Sequence, residues 1–265
     1  MPSAGKVVKV GMLDGKRILV TGVANHRSIA WVVAKVCAEA GAQIAITYQN
    51  ERLKSNAEKV TKELEDVLLL PCDVTQESET EALFATLQEK WGQLDGLVHS
   101  IAFADREDLK GAFHETSRAG YSLANDISAY SLVTLAHHAK PLMETNGGSI
   151  ICMSYLGGER VVPNYNMMGV AKSALEMSAK YLAADLGPDQ IRVNIVSPGP
   201  IKTLAAAGVA GFGGMLDVVA QRSPLRRNIS QEEVGKASAF LLSDWSTGIT
   251  GETIHVDAGY HVMGM

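Results

Sequence analysis

The sequence predicts an α/β fold, a doubly wound sheet of about seven parallel strands with helices on both faces. Two observations predict it. Short β-branched runs alternate along the chain with longer segments of helical period, the trace left by strand, crossover helix and parallel strand. The residues able to do chemistry fall just after those runs, at the carboxyl ends where an open α/β sheet binds its ligands.

The elements follow in order. The first strand is expected at 17–21, where Ile, Leu, Val and Thr stand together after two charged residues, and it leads into a helix at 28–40. A second strand at 43–47 precedes a helix at 51–64, and a third at 67–71 precedes a helix at 77–90. Strand four, 97–100, is followed by a long helical pattern at 118–143; strand five, 149–154, by one at 164–186. Strand six is expected at 192–197, the last helix at 231–243 and strand seven at 253–256. The Ala/Gly-rich stretch 204–214 reads either as a surface loop or as a lid beside a site at the sheet edge. Residues 1–12 are expected to be an N-terminal tail and 13–265 one dinucleotide-binding and catalytic domain, with a substrate loop near 203–222.

Composition narrows the classes. With 46% hydrophobic and 20% charged residues, the chain can bury a full core, which excludes a wholly disordered protein. The net charge of −5, with 24 Lys and Arg interspersed among 29 Asp and Glu, offers no basic stripe, so no nucleic acid is expected as a partner. No apolar stretch approaches the roughly 18 residues of a membrane span, and residues 1–12 lack the apolar segment of a signal peptide, which predicts a soluble, intracellular protein with no membrane partner. Cys37, Cys72 and Cys152 read as buried free thiols. His137 and His138 lack metal-ligand spacing and read as a surface or packing pair, so no metal is expected.

Gly22 to Ala30 forms a strand end, a small-residue turn and a helix start. Free N–H groups at such a helix end suit a pyrophosphate, which makes Gly22, Ser28 and Ile29 candidates; a structural tight turn is the alternative, because only Gly22 of the usual G-x-G-x-x-G is present. At the end of the second strand Gln49 could hydrogen-bond an adenosine ribose, and no Arg or Lys adjoins it to meet a 2′-phosphate. After the third strand, Asp73 could accept from an adenine amino group while Val74 packs on the ring, or Asp73 could cap the following helix. Ser100, Ile101, Ile201 and Thr203 lie on the same expected edge. At about 100° per residue, Tyr165 and Lys172 come within about 20° of one another on a helix face. Met168 stands where a Tyr four before the Lys would serve alcohol or ketone chemistry, and its thioether argues against that chemistry.

These motifs together resemble the short-chain dehydrogenase/reductase superfamily, a Rossmann-type fold, and within it the NADH-dependent enoyl-acyl-carrier-protein reductases of bacterial type II fatty-acid synthesis. The resemblance runs from Leu13 to about Asp257 and rests on Gly22, Ser28, Ile29, Gln49, Asp73, Val74, Ser100, Ile101, Asp126, Ile127, Ser128, Ser154, Tyr155, Tyr165, Lys172, Ile201 and Thr203, in that order. Ala102, Asn125 and Ala258 depart from the usual pattern, as small or polar replacements. The resemblance implies an NAD-dependent oxidoreductase, cytoplasmic and homotetrameric, whose partner is acyl carrier protein bearing the enoyl substrate. It assigns the substrate oxygen to Tyr165 and the nicotinamide ribose to Lys172, with Tyr155 as a further catalytic-site residue. Ala104, Tyr155, Tyr165, Met168 and Phe212 are then the candidate substrate pocket. Lys202, Arg222, Arg226 and Arg227 become candidates for meeting the acidic carrier, or are ordinary solvated charge.

Overall fold

The computed structural model describes residues 11–203 and 211–264, excepting the Phe212 side chain. Its strands are β1 (Arg17–Val20), β2 (Gln43–Tyr48), β3 (Leu68–Pro71), β4 (Gly96–His99), β5 (Gly148–Met153), β6 (Ile191–Pro198) and β7 (Thr253–Val256). They form one sheet in the order β3-β2-β1-β4-β5-β6-β7, every pair parallel. The helices are α1 (Ile29–Glu39), α2 (Glu51–Thr61), α3 (Glu77–Trp91), α4 (Arg118–Asn125), α5 (Ser131–Met143), α6 (Asn166–Leu186), α7 (Phe212–Arg222) and α8 (Gln231–Leu242).

Strand parity distributes the side chains to two layers. Ile18, Val20, Ile44, Ile46, Val98 and Ile151 face one way and bury against Ala30, Val33 and Cys37 of α1 and Val234 and Leu241 of α8. Leu19, Ala45, Leu97, Ile150, Cys152, Val193 and Ile195 face the other and bury against Leu83 and Leu87 of α3, Leu132 and Leu135 of α5 and Leu175 of α6. Both faces are covered, as parallel sheets require, which explains why the strands read as near-continuous apolar runs. Replacing any one of these fully buried Leu or Ile residues by Ala costs about 2–5 kcal/mol. Gly235 lets α1 and α8 approach: a Cβ there would meet Val36 Cγ2 at 2.8 Å. All three cysteines are buried and free, and burial pushes their thiols up to about 12 at Cys37 and Cys152 and about 11 at Cys72. His137 and His138 meet edge to face at 5.0 Å, and His138 stacks on Phe84, a packing pair.

Three expectations need correction. The single helix expected over 118–143 is broken by a π-helical turn, Asp126–Tyr130, between α4 and α5. Within that turn the Ser128 hydroxyl holds the Phe103 backbone, accepting from its N–H at 2.9 Å and donating to its carbonyl at 3.0 Å. The helix expected from 164 begins at Asn166, because Asn164 (φ 61°) lies in the left-handed region and Tyr165 becomes the N-cap. Finally, α7 occupies much of a stretch read as loop; its two glycines hide a helix from propensity. Residues 204–210 of the proposed lid lie outside those described.

Candidate active site

The strand order reverses between β1 and β4, so the chain leaves their carboxyl ends in opposite directions and opens a crevice there. Gly22 sits in it with φ +88°, and a Cβ would come within 2.1 Å of the Ser100 carbonyl oxygen. A side chain is excluded both by conformation and by contact. Thr21 ties the two strand ends together, its hydroxyl donating to the Val98 carbonyl at 3.0 Å and accepting from the Ser100 N–H at 3.4 Å. Ser28 does more than stand where a glycine is usual: its Oγ accepts from the N–H groups of Ala24 at 3.0 Å and Asn25 at 3.1 Å, which holds the turn open ahead of α1. The first-turn N–H groups of α1, beginning at Ile29, point into the crevice end and suit an anion.

At the ends of β2 and β3 the two polar candidates hold one another. Gln49 Nε2 donates to Asp73 Oδ2 at 3.0 Å, while Asp73 Oδ1 accepts from the Thr75 N–H at 3.0 Å and its hydroxyl at 2.8 Å. Partial burial works upward on this carboxyl, yet the Thr75 and Gln49 hydrogen bonds bring it below the usual range. Asp73 is not the cap of α3, whose N-cap is Gln76; it closes the turn before it. Val74 packs against the core. Lys54 lies 3.6 Å from Glu51 and 5.8 Å from the centre of the Tyr48 ring, and Asn50 caps α2 by accepting from the Leu53 N–H.

After β4, Ser100 and Ile101 line the crevice opposite Gly22. The buried His99 Nε2 lies 2.7 Å from Ser131 Oγ, whose own proton goes to the Ile127 carbonyl at 2.6 Å. The imidazole therefore carries its hydrogen on Nε2, and burial pushes its pKa down to about 3.

The loop after β5 and the start of α6 bring the aromatic pair together. Tyr155 and Tyr165 meet edge to face, ring centres 5.0 Å apart, and Gly157 lies against the Tyr165 ring so closely that a Cβ would be 2.5 Å from its Cδ1. Tyr165 is the N-cap of α6 (φ −111°, ψ −18°) and not a residue within the helix, a correction to the helical-wheel expectation. Lys172 follows two turns along α6, and its buried Nζ donates to the Met153 carbonyl at 2.6 Å. Burial lifts the Tyr165 phenol well above its ordinary value, aided by Tyr155 and Glu176, and lifts Tyr155 to about 12, so both are neutral donors near pH 7. Burial lowers Lys172 to about 8, against the pull of Cys152 and Glu176. The Tyr155 hydroxyl donates to Met215 Sδ at 2.9 Å, which brings α7 over the pair.

Ala104, Tyr165 and Met168 share a small apolar cluster with Met167, Ala171 and Ala124, so three of the pocket candidates converge. The Phe212 side chain lies outside the described residues. Ile201 packs at the edge of the core after β6, and the Thr203 N–H donates to its carbonyl at 2.8 Å. Of the basic candidates, Arg227 is a bidentate partner of Glu233 at 3.0 and 2.7 Å, while Arg226 donates to the Gln221 carbonyl, a neutral partner that leaves its charge uncompensated. Among the described residues no group of three or more His, Cys, Asp or Glu could hold a metal. Sequence reading missed Glu176 and Met215; Glu176 had a signal, since it follows Lys172 by one helical turn.

A family model described as enoyl-(acyl carrier protein) reductase matches residues 22–261. The chain is 53% identical over 255 residues to the NADH enoyl-acyl-carrier-protein reductase FabI of Bacillus cereus, covering 96% of this chain and 99% of that one. It is 52% identical over 253 residues to an NADPH enoyl-acyl-carrier-protein reductase FabI of Staphylococcus aureus, covering 95% and 98%. Among solved structures it is similar to the Bacillus cereus reductase with NADP+ and indole naphthyridinone (TM-score 0.94, 52% identity, 96% of this chain and 100% of that chain). A reductase from Anaplasma phagocytophilum in complex with NAD is also similar (TM-score 0.93, 47% identity, 96% and 97%).

Proposed function

The chain belongs to the enoyl-(acyl carrier protein) reductase family, and on that premise we propose how its own residues carry the family's reaction. It reduces the 2,3 double bond of enoyl thioesters borne by acyl carrier protein, a step of fatty-acid elongation, with a nicotinamide cofactor. The chemistry that cofactor supplies is hydride delivery to the β-carbon. The residues present fit it: Gly22 leaves the room a Cβ would fill, and Ser28 holds the turn that presents the α1 N-terminus.

Gly22, Ser28 and Ile29 would hold the pyrophosphate, the Gln49–Asp73 pair and Val74 the adenosine, and Ser100, Ile101, Ile201, Thr203 and Lys172 the nicotinamide end. As hydride reaches the β-carbon, negative charge builds on the thioester oxygen. The Tyr165 hydroxyl donates to that oxygen, and one donor aimed at developing charge is worth roughly 2.7 to 4 kcal/mol. Lys172 donates to the ribose and fixes the cofactor's position. Tyr155, Ala104 and Met168 wall the acyl chain. The observation that carries this reading is the packing of Tyr155, Gly157 and Tyr165 beside Lys172 on the Met153 carbonyl. Met168 is buried and offers no hydroxyl where a ketone reductase needs one. The test is turnover followed by cofactor absorbance: a crotonyl thioester is reduced and an acetoacetyl thioester is not. Reduction of the ketone in preference would overturn the assignment.

We further propose that NADH is preferred over NADPH. Glu51 repels a 2′-phosphate and Lys54 is turned to Glu51, which leaves Arg52 as the neighbouring cation in sequence to meet two charges. Residues 1–12 are proposed as a tail and 13–265 as one catalytic domain, the segment 203–222 covering the substrate and ending in α7. Lys202, Arg222 and Arg226 are the proposed contacts for the acidic carrier, Arg227 being paired with Glu233. A cytoplasmic homotetramer is proposed from the family resemblance; among the described residues no helix is long and apolar enough to cross a membrane.

A further inference from the structure

Glu176 is a carboxyl only 8% exposed, on α6 one turn beyond Lys172. Burial of an ionisable group is costly unless it is hydrogen-bonded, and its partner is the Ser154 hydroxyl, which donates to Oε1. Ser154 lies between the two parts that must stay together. On one side is Met153, whose carbonyl receives Lys172 Nζ at 2.6 Å; on the other is Tyr155, whose ring meets Tyr165. The next turn is fastened to the same helix: Gly158 lies so close over Glu176 that a Cβ would be 2.7 Å from Oε1, and its carbonyl accepts from the Ser173 hydroxyl.

We propose that Glu176 is a positioning residue, which through Ser154 and the Gly158 turn holds the Met153 carbonyl and the Tyr155 loop in register with Lys172, and whose carboxylate keeps the Lys172 ammonium charged.

The charged surroundings support the second role. Around Glu176 stand Lys172 and Lys180 of its own helix, His255 of β7 and Glu159 of the loop after β5. Glu159 is itself 2.7 Å from His255 Nε2, which offsets its charge. Lys172 faces Cys152 of β5 and His99 of β4, and burial keeps both of those neutral at pH 7. Burial raises the Glu176 carboxyl as well, with the Ser154 hydrogen bond, Lys180 and His255 opposing it, and in its ionised form it is an anion one helical turn from an ammonium that burial would otherwise discharge. Ser154, as donor, is satisfied by either an ionised carboxylate or a neutral amide oxygen, so geometry and charge can be separated by substitution.

This inference rests on the reading that Lys172 binds the nicotinamide ribose, and the experiment tells the two apart. NADH affinity is titrated by fluorescence from pH 6 to 10 for wild type, Lys172→Ala, Glu176→Gln, Glu176→Ala and Ser154→Ala, with folding checked by thermal melts. In Glu176→Gln the amide keeps the Ser154 hydrogen bond, so affinity at the acid end stays within about twofold of wild type while the alkaline midpoint falls by about one pH unit. Glu176→Ala and Ser154→Ala lose affinity at every pH, by about fivefold or more, because the loop is released. A Glu176→Gln midpoint equal to wild type, with Lys172→Ala clearly weakened, overturns the charge role, and wild-type affinity in Glu176→Ala and Ser154→Ala overturns the positioning role. Wild-type affinity in Lys172→Ala sinks the Lys172 reading itself and this inference with it. If Glu176→Ala does not fold, Ser154→Ala decides the positioning role and the Glu176→Gln midpoint the charge role.

Discussion

Gly157→Ala tests the Tyr165 assignment without touching the phenol. The new Cβ would stand 2.5 Å from Tyr165 Cδ1, 2.8 Å from Cε1 and 3.2 Å from Tyr155 Cδ1. Ordinary contact begins near 3.4 Å, so the Tyr165 ring edge must retreat by about 0.9 Å. The backbone at this position has a negative φ, which alanine adopts freely, so the strain lies in the contact. Overpacking of this kind costs about 1–3 kcal/mol of stability. For catalysis the displacement matters more, because misplacing a reacting group by about 1 Å costs about 10²-fold in rate. Lys172 and the Met153 carbonyl lie on the far side of Ser154, so NADH affinity should stay within about twofold of wild type. Steady-state kinetics on crotonyl-acyl-carrier-protein, beside a fluorescence titration of NADH, separates the two. A kcat within about threefold of wild type would show that the tyrosine's place is immaterial and refute the reasoning. Gly187→Ala, with nothing within 4 Å of the new Cβ, is the matched control and should leave kcat alone.

Tyr165→Phe should retain NADH affinity and lose about 10²–10³-fold in kcat, since the hydroxyl acts on charge present in the transition state; unchanged kcat removes it from its role. Lys172→Ala should raise the NADH dissociation constant severalfold or more, which an equal-affinity titration contradicts. In the wild type, NADH binding should weaken as pH rises through about 8, the value to which burial lowers the Lys172 ammonium, since the charged form is the donor to the ribose; affinity flat to pH 10 speaks against it. For stability the sign is reversed: between that value and the ordinary 10.5 the unfolded chain holds the proton more tightly, so folding gains as pH rises across that window. Catalytic efficiency with NADH should exceed that with NADPH at one salt concentration, and the opposite order would remove the reading of Gln49 and Glu51.

Much of the fold was legible because parallel strands bury both faces and announce themselves as apolar runs; all seven expected strands form, with bounds shifted by at most a residue or so at either end. The π-helical turn at Asp126–Tyr130 was not legible, since it goes with a contact of the Ser128 hydroxyl to the Phe103 backbone, 25 residues away in sequence. The Gln49–Asp73 contact was hidden for the same reason: each residue announced a polar group, and only the sheet brings the two strand ends together. Tyr165 could be paired with Lys172 from spacing, but the left-handed φ of Asn164 that sets it at the helix threshold has no signature in composition. Glu176 stood one turn from Lys172 in plain view, and its meaning depended on a hydroxyl contributed by the end of another strand.

The burial of all three cysteines leaves the outside of this protein without a native handle for electrophiles. Thiol-directed reagents at neutral pH should find no ready thiolate at Cys37, Cys72 or Cys152. A single cysteine introduced on the exposed side of α7, as in Val218→Cys, therefore becomes an addressable position on an otherwise silent background. A dye attached there would report on α7, the proposed cover of the acyl pocket, with the native sequence unaltered elsewhere, so any motion of α7 during turnover can be watched without first removing a thiol.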